Sequence, residues 1–206
     1  MKKISLIGDL VNSKKIIDRN GIQQKLQSGI NLVNRGNPNL QAPYKIILGD
    51  EFQAVYNNAD SLFFDMLRIA ESVFPQKIRF SIGIGEITAR FSDNSVEGMD
   101  GPAFYAARDG MTIVKKSNSL FYLNSVIKEN KLINHTLTLI SEEIKSWNEN
   151  RLKVFVMNCL NYDINRIATE LNLSKRAVYK TIKDGSIPVI SDTFKEIGLI
   201  INGNLN

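Results

Sequence analysis

The chain has 206 residues, 43% of them hydrophobic, and a formal net charge of +5, which suits one or two globular domains with a real core. One cysteine, Cys159, excludes an internal disulfide, and one histidine, His135, excludes His-based triads and zinc sites of the usual composition. The N-terminal apolar run is too short for a signal peptide and nothing approaches a membrane span, so a cytoplasmic location is expected.

Residues 3–11, KISLIGDLV, form a short apolar run that includes Asp9, the pattern of a buried central strand. A polar loop, Asn12-Ser13-Lys14-Lys15, follows. Residues 21–34 repeat apolar side chains at helical spacing until Gly36 and Pro38 end the pattern. Residues 44–56, YKIILGDEFQAVY, read as strand, tight turn and strand, with Gly49-Asp50-Glu51 at the tip. Asp60 is placed to cap a helix reaching about Val73, and residues 77–89 alternate as a long strand. A loop over residues 92–101 leads to Pro102 at a first helical position. That helix runs to about Lys116, and residues 119–123 make a last short strand. The order β-α-β-β-α-β-α-β predicts an α/β fold of the ferredoxin-like kind, an antiparallel or mixed sheet with helices on one face. Its bounds are about 1–124. A polar, mostly helical connector covers 125–149, and an all-α unit of three short helices lies within 150–206.

In such a sheet the first strand and the hairpin lie side by side at the centre, so Asp9 and Asp50 are expected to face each other. Adjacent carboxylates repel, and a divalent cation relieves the repulsion; Mg²⁺ prefers one or two carboxylates plus substrate phosphates. The carbonyl of Leu10 is a further candidate ligand. Asn12, Ser13 and Lys14 offer N–H groups and positive charge to a triphosphate. Glu51 is either a helper in metal binding or a base, or a plain acid at an exposed hairpin tip. Asp9 pairing with Lys14 or Lys15, and Asp50 as a turn residue, are the structural alternatives. Asp100 either contacts substrate or caps the helix at Pro102, and Gly83 and Gly85 are expected to admit a closely packed helix.

From Arg151 to Lys183 there are seven Lys or Arg against two acids, so the whole net charge falls on this segment. Residues 164–185, INRIATELNLSKRAVYKTIKDG, carry the pattern of a helix-turn-helix. Ile167, Leu171, Leu173, Val178 and Ile182 are positioned for burial, Ala168 for a close crossing, Asn172 for the turn and Ser174 for an N-cap. Its last helix is expected to expose Lys175, Arg176, Tyr179 and Lys180 to phosphates and base edges of DNA. A protein-contact module is the alternative. Loops of the Walker type and dinucleotide fingerprints are missing; IGIGEI lacks the third glycine.

Gly8-Asp9, the stretch LGDEF over 48–52, RFSIGIGE over 79–86 and GPAFYAAR over 101–108 resemble the successive elements of class III nucleotide cyclases. LGDEF also resembles the signature of diguanylate cyclase palm domains. Over essentially the full chain, IGDLVNSKK, LGDEFQ, IGIGEI and DGPAFYAAR with the C-terminal helices most resemble the SatD family. The cyclase resemblance implies two metal ions, Mg²⁺ or Mn²⁺, on Asp9 and Asp50, and a phosphate contact from Arg108; the residue alternative for Arg108 is a solvated charge beside Asp109. It also implies a homodimer, with sites between two palms. Phe104 stands where those cyclases usually carry an asparagine. The expected function is therefore a metal-dependent nucleotide-binding protein, a nucleotidyl cyclase or nucleotidyltransferase, joined to a DNA-binding unit. The alternative is a nucleotide-responsive regulator without catalysis, and a protein-protein adaptor stands third.

Overall fold

The computed structural model describes residues 1–88 and 95–206. The end of the expected strand at Ala89 and the start of the expected loop at Ser92 lie outside the described residues. The described elements follow the expected order. They are β1 (Lys3–Leu10), α1 (Arg19–Asn34), β2 (Leu40–Leu48), β3 (Glu51–Tyr56), α2 (Leu62–Ser72), β4 (Ile78–Gly85), α3 (Pro102–Lys116) and β5 (Phe121–Asn124). Five further helices complete the described chain: α4 (Asn130–Ser146), α5 (Glu149–Cys159), α6 (Ile164–Glu170), α7 (Lys175–Asp184) and α8 (Ile187–Asn202). No helix among the described residues is long and apolar enough to cross a membrane.

The strands form one mixed sheet in the order β2-β3-β1-β4-β5. β1 is antiparallel to both β3 and β4, and β4 runs parallel to β5. β1 lies at the centre because it is apolar on both faces, as a doubly covered strand must be. The strand alternation then sorts its side chains. Ile4, Leu6 and Leu10 enter the large hydrophobic cluster, which also holds Leu26 and Ile30 of α1 and Met66 and Ile69 of α2. Ile7, on the other face, packs with Ala107, Met111 and Val114 of α3.

Helices therefore cover both faces of the sheet, which corrects the expectation of a single covered face. The physical reason lies in the β4 glycines. A Cβ on Gly83 would stand 2.2 Å from the carbonyl oxygen of Ala103, and one on Gly85 would stand 2.7 Å from the Ala103 nitrogen. Without side chains there, the α3 backbone settles directly on β4. The close packing expected of Gly83 and Gly85 is what the structure shows.

The large cluster continues into the C-terminal helices through Phe155 of α5, Ile167 of α6, Val178 of α7 and Ile190, Phe194 and Ile201 of α8. Phe194 stacks on Phe63 of α2 with ring centres 4.6 Å apart and meets Phe121 of β5 edge-on at 5.8 Å. The two chain ends are tied together, with the Lys2 N–H donating to the Leu205 carbonyl. Helix α8 is an addition to the three helices expected after Arg151. Its signal is the spacing of Ile187, Ile190, Phe194, Ile197 and Ile201, all buried, behind Pro188 in the first turn.

Candidate functional site

The register of the central strands places Asp9 opposite Glu51 on β3 and opposite Arg79 on β4. The three residues share the α3 face of the sheet, because pairs directly across a ladder point to the same side. Asp50 sits one residue earlier, in the turn after Gly49, whose φ of +62° supplies the left-handed bend. The facing pair is therefore Asp9 and Glu51, and the expectation of Asp9 directly across from Asp50 is off by one position. A one-residue step along a strand moves a side chain to the other face. Asp50 accordingly borders a small crevice with Leu10, Ser13, Ile16 and Arg19 on the α1 side. The charges of Asp50 and Glu51 still reach Asp9, and each raises its carboxyl pKa.

Helix α3 brings two cations to this cluster. The Arg108 guanidinium donates to both carboxylate oxygens of Glu51, at 2.7 and 2.9 Å. Seven residues on, two turns along the same helix face, Lys115 reaches the Asp9 carboxylate at 3.0 Å. Both acid side chains are far less exposed than the cations, at 13% for Asp9 and 16% for Glu51 against 43% and 56%. Gln53 adds a hydrogen bond to Glu51 at 3.0 Å. Burial raises the Asp9 carboxyl above its ordinary value, the Lys115 ammonium pulls it back, and the neighbouring acids push it up again. Arg108 was expected at this site; Lys115 and Arg79 were not singled out, although the seven-residue spacing from Arg108 marks Lys115.

On the other side of Asp50, Asn12 adopts a left-handed conformation, with φ 56° and ψ 33°, and Ser13–Lys15 form one 3-10 turn. Asn12 and Lys14 are exposed there, while Ser13 lines the same crevice as Asp50 and Leu10. An open groove of about 590 Å³ runs between α1 and β2 beside this turn, lined by Asn20, Gln23, Gln24, Gln27, Ile46 and Gly49. The Gln23 side-chain amide donates to the Gly49 carbonyl at 3.2 Å, which ties the hairpin tip to α1. Asp100, by contrast, does not cap α3: the cap position is Gly101, and the Asp100 carboxylate accepts from the Tyr105 hydroxyl at 2.7 Å.

Among the described residues no three His, Cys, Asp or Glu side chains enclose a metal site. The carboxylates present match the sparser requirement of Mg²⁺ or Mn²⁺, which take one or two carboxylates and complete their shell with phosphate and water.

At the far end of the chain, α6 and α7 are joined by a turn in which Asn172 takes a φ of +51°. The Ser174 hydroxyl accepts from the Ala177 N–H at 3.1 Å and so caps α7. Ile167 and Val178 are fully buried between these helices and their neighbours, while Lys175, Arg176, Tyr179 and Lys180 are exposed.

Residues 3–196, which include the carboxylates, α3 and the α6–α7 pair, match the SatD family. The chain belongs to the SatD family. No curated protein matches it. In this SatD-family chain the matched stretch ends inside α8, two residues past Phe194, so the family pattern takes in the first part of that helix.

Proposed function

We propose that this SatD-family protein binds a nucleoside triphosphate or a related nucleotide together with Mg²⁺ or Mn²⁺ at the end of β1. Asp9 and Asp50, helped by Glu51 and the Leu10 carbonyl, hold the metal. The observation that carries this reading is the pairing of Asp9 with Lys115 and of Glu51 with Arg108 on one face, beside Arg79, with Asp50 one residue away at the hairpin tip. Such mixed charge suits a metal and a polyphosphate better than a plain surface, where like charges at strand ends are usually spread apart. When bound, the metal neutralises phosphate charge and orients it. The exposed Asn12–Lys14 turn supplies N–H groups and a cation on the open side, and the amide-lined groove beside Asp50 offers donors and acceptors to a base edge. The cyclase resemblance assigns Arg108 to phosphate; on this reading it exchanges Glu51 for phosphate when nucleotide arrives.

The C-terminal helices extend the proposal. The α6–turn–α7 pair is read as a helix-turn-helix that meets DNA through Lys175, Arg176, Tyr179 and Lys180, in a homodimer that presents two half-sites. One observation favours a regulator over an enzyme. Phe104, at the position where the resembling cyclases place an asparagine, is buried in a cluster with Ala42, Val55, Val96 and Met99. It packs the sheet and offers no polar contact to substrate.

The test is a titration of ATP and GTP with Mg²⁺ or Mn²⁺ into the wild type and Asp50→Asn, followed by mass spectrometry after long incubation. Metal-dependent binding that the substitution abolishes supports the site. A cyclic or oligonucleotide product then makes it an enzyme, and binding without product makes it a sensor. Absence of metal-dependent nucleotide binding in the wild type would sink the proposal.

A further inference from the structure

A cavity lies near the opposite end of β3 from the carboxylates. β3 begins at Glu51 and ends at Tyr56, three residues before Ala59, and Ala59 borders a cavity of about 690 Å³. That volume lies within the range of small-molecule sites and far above the voids of a packed core. The cavity opens where the sheet half meets the C-terminal helices, between the start of α2, the end of α5 and one face of α8. Part of its wall is aromatic, from Phe63, Phe64, Phe155, Tyr162 and Phe194. Phe155 and Phe194 are buried in the core behind the wall, and Phe64 and Tyr162, half-buried, offer ring surface to the cavity.

Polar side chains share the lining with the aromatic ones, among them Ser61, Asn158, Asn161 and Ser191. Cys159 Sγ and Ser191 Oγ lie 3.8 Å apart across the junction of α5 and α8. Of the three charged lining groups, Lys195 and Asp192 pair with each other at 3.3 Å. Asp60 remains, held by a 2.7 Å hydrogen bond from the Asn202 amide. The rim therefore presents an acceptor with net negative character beside aromatic walls.

From this lining we infer that the cavity is a binding site for a small aromatic molecule carrying a hydrogen-bond donor, a phenol or an aromatic amine. The ring lies against the half-buried aromatic side chains of Phe64 and Tyr162, and its donor reaches Asp60. An anionic aromatic of the same size is rejected by the same carboxylate. The site is independent of the nucleotide reading, because it shares no residue with the carboxylate cluster.

The chain carries its own reporter, since Cys159 is the only cysteine and lines the wall. Burial raises its thiol pKa, so alkylation by iodoacetamide is followed at mildly alkaline pH in the full-length protein. Tyramine and p-cresol are the probes and p-toluenesulfonate is the matched anion. The expected result is saturable protection, with alkylation slowed about tenfold at about ten times the dissociation constant, as mass action requires. The sulfonate protects far less. Ser191→Trp fills the cavity and removes the protection, with folding checked by circular dichroism. Asp60→Asn, on the exposed rim, leaves the fold intact and erases the preference for tyramine over the sulfonate. Equal alkylation rates with and without saturating phenol and amine would overturn the inference, as would an unchanged preference in Asp60→Asn.

Discussion

Asp65 illustrates how single residues are constrained in this molecule. It is almost fully buried in α2, and one oxygen, Oδ2, accepts from Asn37 at 2.9 Å, from Tyr56 at 2.8 Å and from Ser61 at 2.7 Å. The Tyr56 hydroxyl also meets that of Tyr44 at 2.7 Å, so this acid anchors a buried polar chain beneath the sheet. Burial raises its carboxyl above the usual range, and the three donors only partly reverse the shift. A raised folded value means that the native state holds the proton more tightly than the unfolded chain. The contribution of Asp65 to stability is therefore full at low pH and declines as pH rises through that raised value. Urea unfolding across acidic to neutral pH is expected to show this decline in the wild type and a flatter profile in Asp65→Asn; parallel profiles would contradict it. Asp65→Ala strips all three donors of their partner and is expected to cost about 2–4 kcal/mol by the same measurement.

At the carboxylate site the same kind of argument predicts competition. Lys115 pairs with Asp9, so on the proposed reading a metal bound there would have to displace it. Partly exposed ion pairs contribute about 0.2–1 kcal/mol. Lys115→Met is thus expected to tighten Mn²⁺ binding by up to about fivefold in calorimetry without nucleotide. It also raises the Asp9 pKa further, measured by NMR titration of the carboxyl, because a lowering influence is removed. Unchanged or weaker Mn²⁺ binding in this variant would place the metal away from Asp9.

Among the elements, α3 governs the site, because it carries Arg108 and Lys115 and its height above the sheet decides whether they reach Glu51 and Asp9. That height is set at Gly83, where an added methyl would meet the α3 backbone at Ala103 and Ala107. Backbone on both sides leaves nothing flexible to move aside. Gly83→Ala is expected to destabilise the fold by about 2–3 kcal/mol in chemical unfolding. It is also expected to weaken the two ion pairs, seen as a further rise in the Asp9 pKa. A neutral effect on both would mean that α3 slides without consequence.

For the whole molecule the decisive feature is the aromatic junction between α8, α2 and β5. One hydrophobic cluster contains residues of the sheet and of α5 through α8, and Phe194 touches both Phe63 and Phe121. Elements that share a core unfold together. A single cooperative transition is expected when sheet and C-terminal helices are followed separately, by amide exchange in β1 and in α7. Two transitions would instead support separate units at about 1–124 and 150–206. Phe194→Ala is expected to cost about 3–5 kcal/mol and to separate the two signals.

The order of strands and helices through β5 was legible from residue patterns, since alternation and helical spacing are local properties of the chain. So were the turn at Gly49, the cap at Ser174 and the left-handed turn at Asn172, each set by the chemistry of one or two residues. The acids at the hairpin tip and Arg108 were also visible in one dimension, as residue types suited to metal and phosphate. Their partners were not. Which acid faces Asp9 depends on strand register, and a shift of one residue replaces Asp50 by Glu51. That Lys115 reaches Asp9 depends on α3 crossing the second face of the sheet, which only the packing at Gly83 determines. The amide groove forms where α1 folds back along β2, and the partly aromatic cavity beside Ala59 forms where α5 and α8 meet the start of α2. Local patterns specify elements because each residue's preference acts on its near neighbours, whereas register and crossing are settled by side chains that meet only after the chain has folded.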